Sequence, residues 1–167
     1  SAGRHMTQAV AEELGGIPMS PALQATLLRA REYAGGQMHR EVTLEHLLLA
    51  LTEDDDATSV MQACRLDIGR LRNDLAGYLG DLGDRVSAGA APTISAALTR
   101  ILKYATLAAK QGRRPKIDGA IVLAAIVGDG KSMAAGFLKA QGLTFDAAVR
   151  VLQQSIREGT RPAPAQL

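Results

Sequence analysis

The sequence predicts an all-α protein made of two tandem four-helix units. Three observations predict it: apolar residues recur at helical spacing between clear capping signals, no segment shows sustained strand alternation, and the second half repeats the first. Ser20-Pro21 opens the first helix, with Ser as N-cap and Pro at the first helical position, and Leu23, Leu27, Ala30 and Ala34 fall on one face. Gly35-Gly36 stops it. Thr43 caps a second helix running to Leu51, whose apolar density implies burial on more than one side. Asp54-Asp55-Asp56 ends that helix and places negative charge at the N-terminus of a third. Asp67 caps a fourth, Ile68 to Leu79, and the stretch from Gly80 to Pro92 has linker composition.

A shift of 75 residues then superposes the halves: Ser20 falls on Ser95, Leu23 on Leu98, Leu27 on Leu102, Ala34 on Ala109, Val42 on Ile117 and Leu48 on Leu123. After a two-residue insertion the shift becomes 77, with Leu66 on Leu143 and Leu75 on Leu152. Caps and core positions recur together, which identifies a tandem duplication. The predicted organisation is a tag-like start and N-terminal extension over 1–18, a first repeat over 19–80, a linker over 81–93, a second repeat over 94–155 and a tail over 156–167. Each unit alone is small for a generous core, so the two are expected to pack as one pseudo-twofold bundle, sufficient as a monomer.

Composition excludes several function classes. The chain has 167 residues, 47% apolar and 22% charged, and a formal charge of +2, so no dominant basic field invites nucleic acid. One cysteine, Cys64, and three histidines give neither a disulfide nor a zinc-finger set, and a reducing cytoplasm is the expected location. The apolar run Leu47 to Leu51 is far short of a membrane span. Cys64 reads as a small core hydrophobe, and His39 and His46, seven residues apart, lack a third ligand in sequence reach. Gly128-Asp-Gly-Lys-Ser132 mimics a phosphate loop, but its first position is Ala125 and it falls between helices instead of after a strand. No metal, cofactor or catalytic residue set is expected.

Four stretches carry a family resemblance: Ser20-Pro-Ala-Leu, Ala30-Arg-Glu, Val42-Thr-Leu-Glu-His-Leu-Leu-Leu-Ala-Leu51 and Gln62-Ala-Cys-Arg-Leu-Asp67. With Ala91-Pro-Thr-Ile-Ser95 and Ile117-Asp-Gly-Ala-Ile-Val-Leu-Ala-Ala-Ile126 in the second half, they resemble the Clp N-terminal domain, a double Clp repeat of the ClpA and ClpC type. The match runs from about Met19 to Leu152. The resemblance implies a non-catalytic recognition module for regulated proteolysis. Such modules sit above Clp ATPase rings and receive substrates or adaptors; ClpS is the adaptor of the ClpA type, and phosphoarginine is read in the ClpC branch.

The resemblance also makes Glu45 the first candidate contact residue, since a first-turn carboxylate can pair bidentately with a guanidinium-like group. The plainer reading is a Glu that complements a helix dipole. Ala120 stands at the equivalent place in the second repeat, so a symmetric pair of phosphoarginine sites is not expected. Ser20 and Thr43 are helix caps whose hydroxyls could meet a ligand, and Arg40 and Glu41 lie on the same edge as candidate adaptor contacts. Arg113, Arg114 and Lys116 form the one concentrated basic run, read as a solvated loop, a rim steering acidic partners or, in an alternative function, a nucleic-acid contact. The expected docking surface joins the loop before Thr43, the start of its helix and the groove between repeats.

Overall fold

The computed structural model describes Leu14, residues 16–87 and residues 89–158; the expectations for the extreme N-terminus and for residues 159–167 lie outside the described residues. The order is α1 (Pro21–Gly36), β1 (Glu41–Val42), α2 (Leu44–Leu51), α3 (Asp55–Ala63), α4 (Ile68–Gly80), β2 (Thr93–Ile94), α5 (Ala96–Gln111), α6 (Gly119–Asp129), α7 (Met133–Ala140) and α8 (Phe145–Glu158). The last helix runs three residues beyond the expected repeat boundary.

Seven of these helices start the same way. Ser20, Thr43, Asp54, Asp67, Ser95, Asp118 and Ser132 each sit in extended backbone and accept, through the side chain, the N–H three residues ahead. Losing such a cap costs about 1 kcal/mol, so the caps fix the helix boundaries more firmly than propensity does. Ser132 explains the phosphate-loop mimic: α6 ends on Gly130 in the left-handed region, φ 71°, and Ser132 caps the next helix. The stretch is a helix-to-helix turn.

The bundle is built around α2 and α6. All eight residues of α2 are buried, as are Gly119 to Ala124, Ile126 and Val127 of α6. A helix apolar all round must be covered on all sides. Helices α1, α4 and α7 cover α2, while α3, α5, α7 and α8 cover α6. Because α3 packs on α6 and α7 on α2, helices of one repeat complete the core of the other, and the apolar residues form one continuous cluster.

Backbone pairing ties the halves reciprocally. Strands β1 and β2 pair in parallel, Val42 opposite Ile94, and Met19 forms a parallel bridge with Ile117. The Ser95 N–H donates to the Val42 carbonyl at 3.1 Å, and 75 residues away in each partner the Ser20 N–H donates to the Ile117 carbonyl at 2.9 Å. The segment before the first helix of each repeat is thus satisfied by the segment before the second helix of the other.

Candidate functional site

The sequence-predicted residues do not converge on one place: Thr43 and Glu45 open α2, Ser20 opens α1, Arg40 and Glu41 lie at β1, and Arg113, Arg114 and Lys116 lie between α5 and α6. Glu45 is buried, 8% exposed, and its Oε2 accepts the Ala134 N–H at 2.9 Å. Ala134 is the second residue of α7, whose third N–H is already held by Ser132. Glu45 therefore sits in the first turn of its own α2 and also satisfies the N-terminus of α7 in the other repeat. An open carboxylate awaiting a guanidinium is not what the geometry provides.

Thr43 and His46 form a reciprocal capping box: the Thr43 hydroxyl takes the His46 N–H, and His46 Nδ1 accepts the Thr43 N–H at 3.0 Å. With Nδ1 an acceptor, the neutral ring carries its proton on Nε2, which donates to His39 Nδ1 at 2.8 Å. His39 is then protonated on Nε2, a buried atom that faces the Leu79 backbone. Burial, reinforced by the neighbouring His39, lowers the His46 pKa to about 4, and burial followed by the Arg85 charge lowers that of His39. Both rings are neutral at neutral pH. The His39 backbone anchors the linker through an antiparallel bridge with Arg85. Among the described residues no group of three or more His, Cys, Asp or Glu is placed to hold a metal.

Ser20 caps α1, its Oγ accepting the Leu23 N–H at 3.1 Å. Arg40 and Glu41 are exposed, and Arg40 pairs with Asp84 of the linker at 3.1 Å. Cys64 is half-buried at the end of α3, its thiol pKa pushed up by burial. In the basic run, Arg113 and Lys116 are exposed while Arg114 is half-buried and paired with Asp118 at 3.1 Å.

Sequence reasoning missed an apolar groove in the second repeat. The groove, of about 700 Å³, runs between α5, α6 and α8, floored by Ile121, Ala124, Ala125 and Gly128 and walled by Tyr104 and Ala108 on one side and Phe145, Val149 and Leu152 on the other. Gln111, Gly112 and Arg114 line it where the basic loop begins. Tyr104 is 45% exposed and Phe145 48%, so large aromatic surfaces stand in water along its rim. A Cβ on Gly128 would lie 2.9 Å from Cδ1 of Phe145, so glycine lets the ring lie against α6 in its present position.

The first repeat closes the corresponding place. Tyr33 donates to the Glu53 carboxylate, and Arg29 and Arg72 approach the same oxygen at 3.6 and 3.8 Å. Arg72 also donates to Thr52 Oγ1 at 2.5 Å and Arg29 to the Ala50 carbonyl at 3.3 Å. Burial and then Glu53 raise the Tyr33 pKa, which keeps the phenol a donor. The internal alignment places Tyr104, Ala108 and Gly128 on Arg29, Tyr33 and Glu53 by the shift of 75, and Val149 on Arg72 by the shift of 77. Every member of this polar clasp is replaced in the second repeat, two of them by Ala and Gly. The groove is the space left open.

The fold and groove define a helical double-repeat domain with an open apolar slot in its second half. The Clp repeat N-terminal domain model matches residues 18–141, and the chain belongs to that family. A ClpA homolog protein of Fuscovulum blasticum is 34% identical over 140 residues, which are 82% of this chain and 18% of that protein, so the chain spans a small part of the relative's length. Among solved structures, the N-terminal domain (1–163) of the ClpV1 ATPase from E. coli EAEC Sci1 T6SS shares the fold with a TM-score of 0.71 at 21% identity, covering 86% of this chain and 88% of that one. A complex of a ClpV N-domain with VipB peptide matches with a TM-score of 0.64 at 18% identity, covering 77% and 81%.

Proposed function

We propose that this chain is a non-catalytic protein-recognition module of a Clp-type unfoldase, and that it receives apolar segments of substrates or adaptors in the groove between α5, α6 and α8. The observation that carries this is the exposure of Tyr104 and Phe145 beside an apolar floor, surface that a water-facing domain gains nothing by displaying. Family membership supports the reading, and a ClpV N-domain is known in complex with a peptide. The groove binds by burying apolar area at about 25 cal/mol per Å², and no bond is made or broken. A ClpS-type adaptor would use a different surface, the exposed edge formed by Arg40 and Glu41 beside the cap Thr43; Ser20 lies at the other end of α1, against Ile117. Glu45 contributes to that surface only by holding α2 against α7.

The test is binding of a permanently unfolded, reduced and carboxymethylated protein to the wild-type chain, to Ala108→Trp and to Arg40→Ala/Glu41→Ala. Ala108 is exposed on the groove wall, so the indole fills the slot without entering the core. Loss of binding in the first variant and retention in the second is expected; the opposite pattern would move the client site to the β1 edge.

A further inference from the structure

The two repeats carry opposite charge. Residues 19–80 hold six Lys and Arg against nine Asp and Glu, whereas residues 94–155 hold nine Lys and Arg against only Asp118, Asp129 and Asp146. Of those three acids, Asp118 is paired with Arg114 and Asp129 with Arg100. The groove lies wholly in the basic repeat, and Lys110, Arg113 and Lys116, all exposed, gather at the end lined by Gln111, Gly112 and Arg114.

Resting on the reading of the groove as a docking site, we infer that its partner is an apolar segment flanked by carboxylates, seated with its acidic flank against the Lys110–Lys116 loop. Each exposed pair contributes little to affinity, about 0.2–1 kcal/mol, but several charges of one sign beside an apolar slot orient the incoming segment and speed its encounter. Basic segments are turned away by the same field.

Other occupants fit less well. A second copy would have to offer apolar surface from its acidic repeat, yet of the large apolar side chains exposed among the described residues only Met38 lies there, while Tyr104, Leu107, Met133 and Phe145 all lie in the basic one. Residues 159–167 of the chain itself carry Arg161 and no Asp or Glu. A nucleic acid would match the charge but not the apolar floor between α5 and α8.

The experiment uses two synthetic fluorescent peptides with identical Leu anchors at i, i+3, i+4 and i+7, one flanked by Glu and the other by Lys. Each is titrated with the full chain at low and at moderate salt. The expected result is binding about tenfold tighter for the Glu-flanked peptide at low salt, a preference that shrinks with added salt and reverses in Lys110→Glu/Arg113→Glu/Lys116→Glu. Ala108→Trp should weaken both peptides alike. Equal affinity for the two peptides, unchanged by the triple reversal, would overturn the acidic-partner inference and leave the groove standing. Failure of both peptides to bind would overturn the groove reading itself, and displacement of the Glu-flanked peptide by a short DNA duplex would assign the basic face to nucleic acid.

Discussion

The Glu45 carboxylate and the Ala134 N–H, 2.9 Å apart and 89 residues distant in sequence, join the second helix of one repeat to the third helix of the other. The contact takes the Glu45 carboxylate out of water and makes it a cross-repeat cap. Glu45→Ala leaves a buried helix N–H without an acceptor and should cost about 1–3 kcal/mol in urea unfolding, whereas Glu45→Gln, which keeps an acceptor oxygen, should cost less than about 1 kcal/mol. Equal losses for the two would show that the hydrogen bond does not matter.

The paired imidazoles make stability depend on pH. In the unfolded chain His46 titrates near 6.5 and in the folded domain at about 4, so between those values the unfolded state binds the extra proton. Stability therefore falls as pH drops through 6.5 and the loss levels off below about 4, reaching about 3 kcal/mol. The lowered pKa of His39 acts in the same direction. Gln is the usual partner at this position of a capping box, so His46→Gln should keep the cap and flatten the dependence between pH 6.5 and 4. Chemical denaturation at closely spaced pH values measures both, and an unchanged slope in the variant would place the titration elsewhere.

A third expectation concerns Asp54, which is buried, caps α3 through Ala57 and accepts the Thr26 hydroxyl at 2.7 Å. A Cβ on Gly119 would lie 2.2 Å from its Oδ1. Gly119→Ala must displace that carboxylate and should destabilise by about 2–4 kcal/mol in thermal or urea unfolding, although alanine is the better helix former. Stabilisation would mean the α3–α6 contact yields more easily than its geometry indicates.

Much of the fold was legible because its determinants are local. Ser20, Thr43, Asp67 and Ser95 announce helix starts, and the repeat of 75 residues exposes the duplication. Two features were not. The paired strands are two residues long, too short for alternation to register, and they join the segment before Thr43 to the segment before Ser95 in the opposite repeat. The groove was missed because its lining of Ala108, Ala124, Ala125 and Gly128 reads as ordinary helix. Its signal lies in the internal alignment, as the loss of Arg29, Tyr33, Glu53 and Arg72 from the second copy, and becomes meaningful only once those four side chains are seen to converge.

That convergence gives a fourth prediction. Tyr104→Arg, Ala108→Tyr, Gly128→Glu and Val149→Arg together rebuild the clasp of the first repeat in the second. Phe145 is half exposed and can swing away from residue 128, so the quadruple variant should retain its fold by circular dichroism and lose affinity for apolar segments by about tenfold or more in calorimetry. Undiminished affinity would separate binding from the open slot.

The most direct measurement is a heteronuclear NMR titration of the labelled domain with an unfolded client protein, following every backbone amide. Docking in the groove predicts that the largest shifts cluster at Tyr104, Ala108, Ala125, Gly128, Phe145 and Val149, with Arg29, Tyr33 and Arg72 unmoved. Shifts concentrated instead around Arg40, Glu41 and Thr43, with the groove silent, would contradict it.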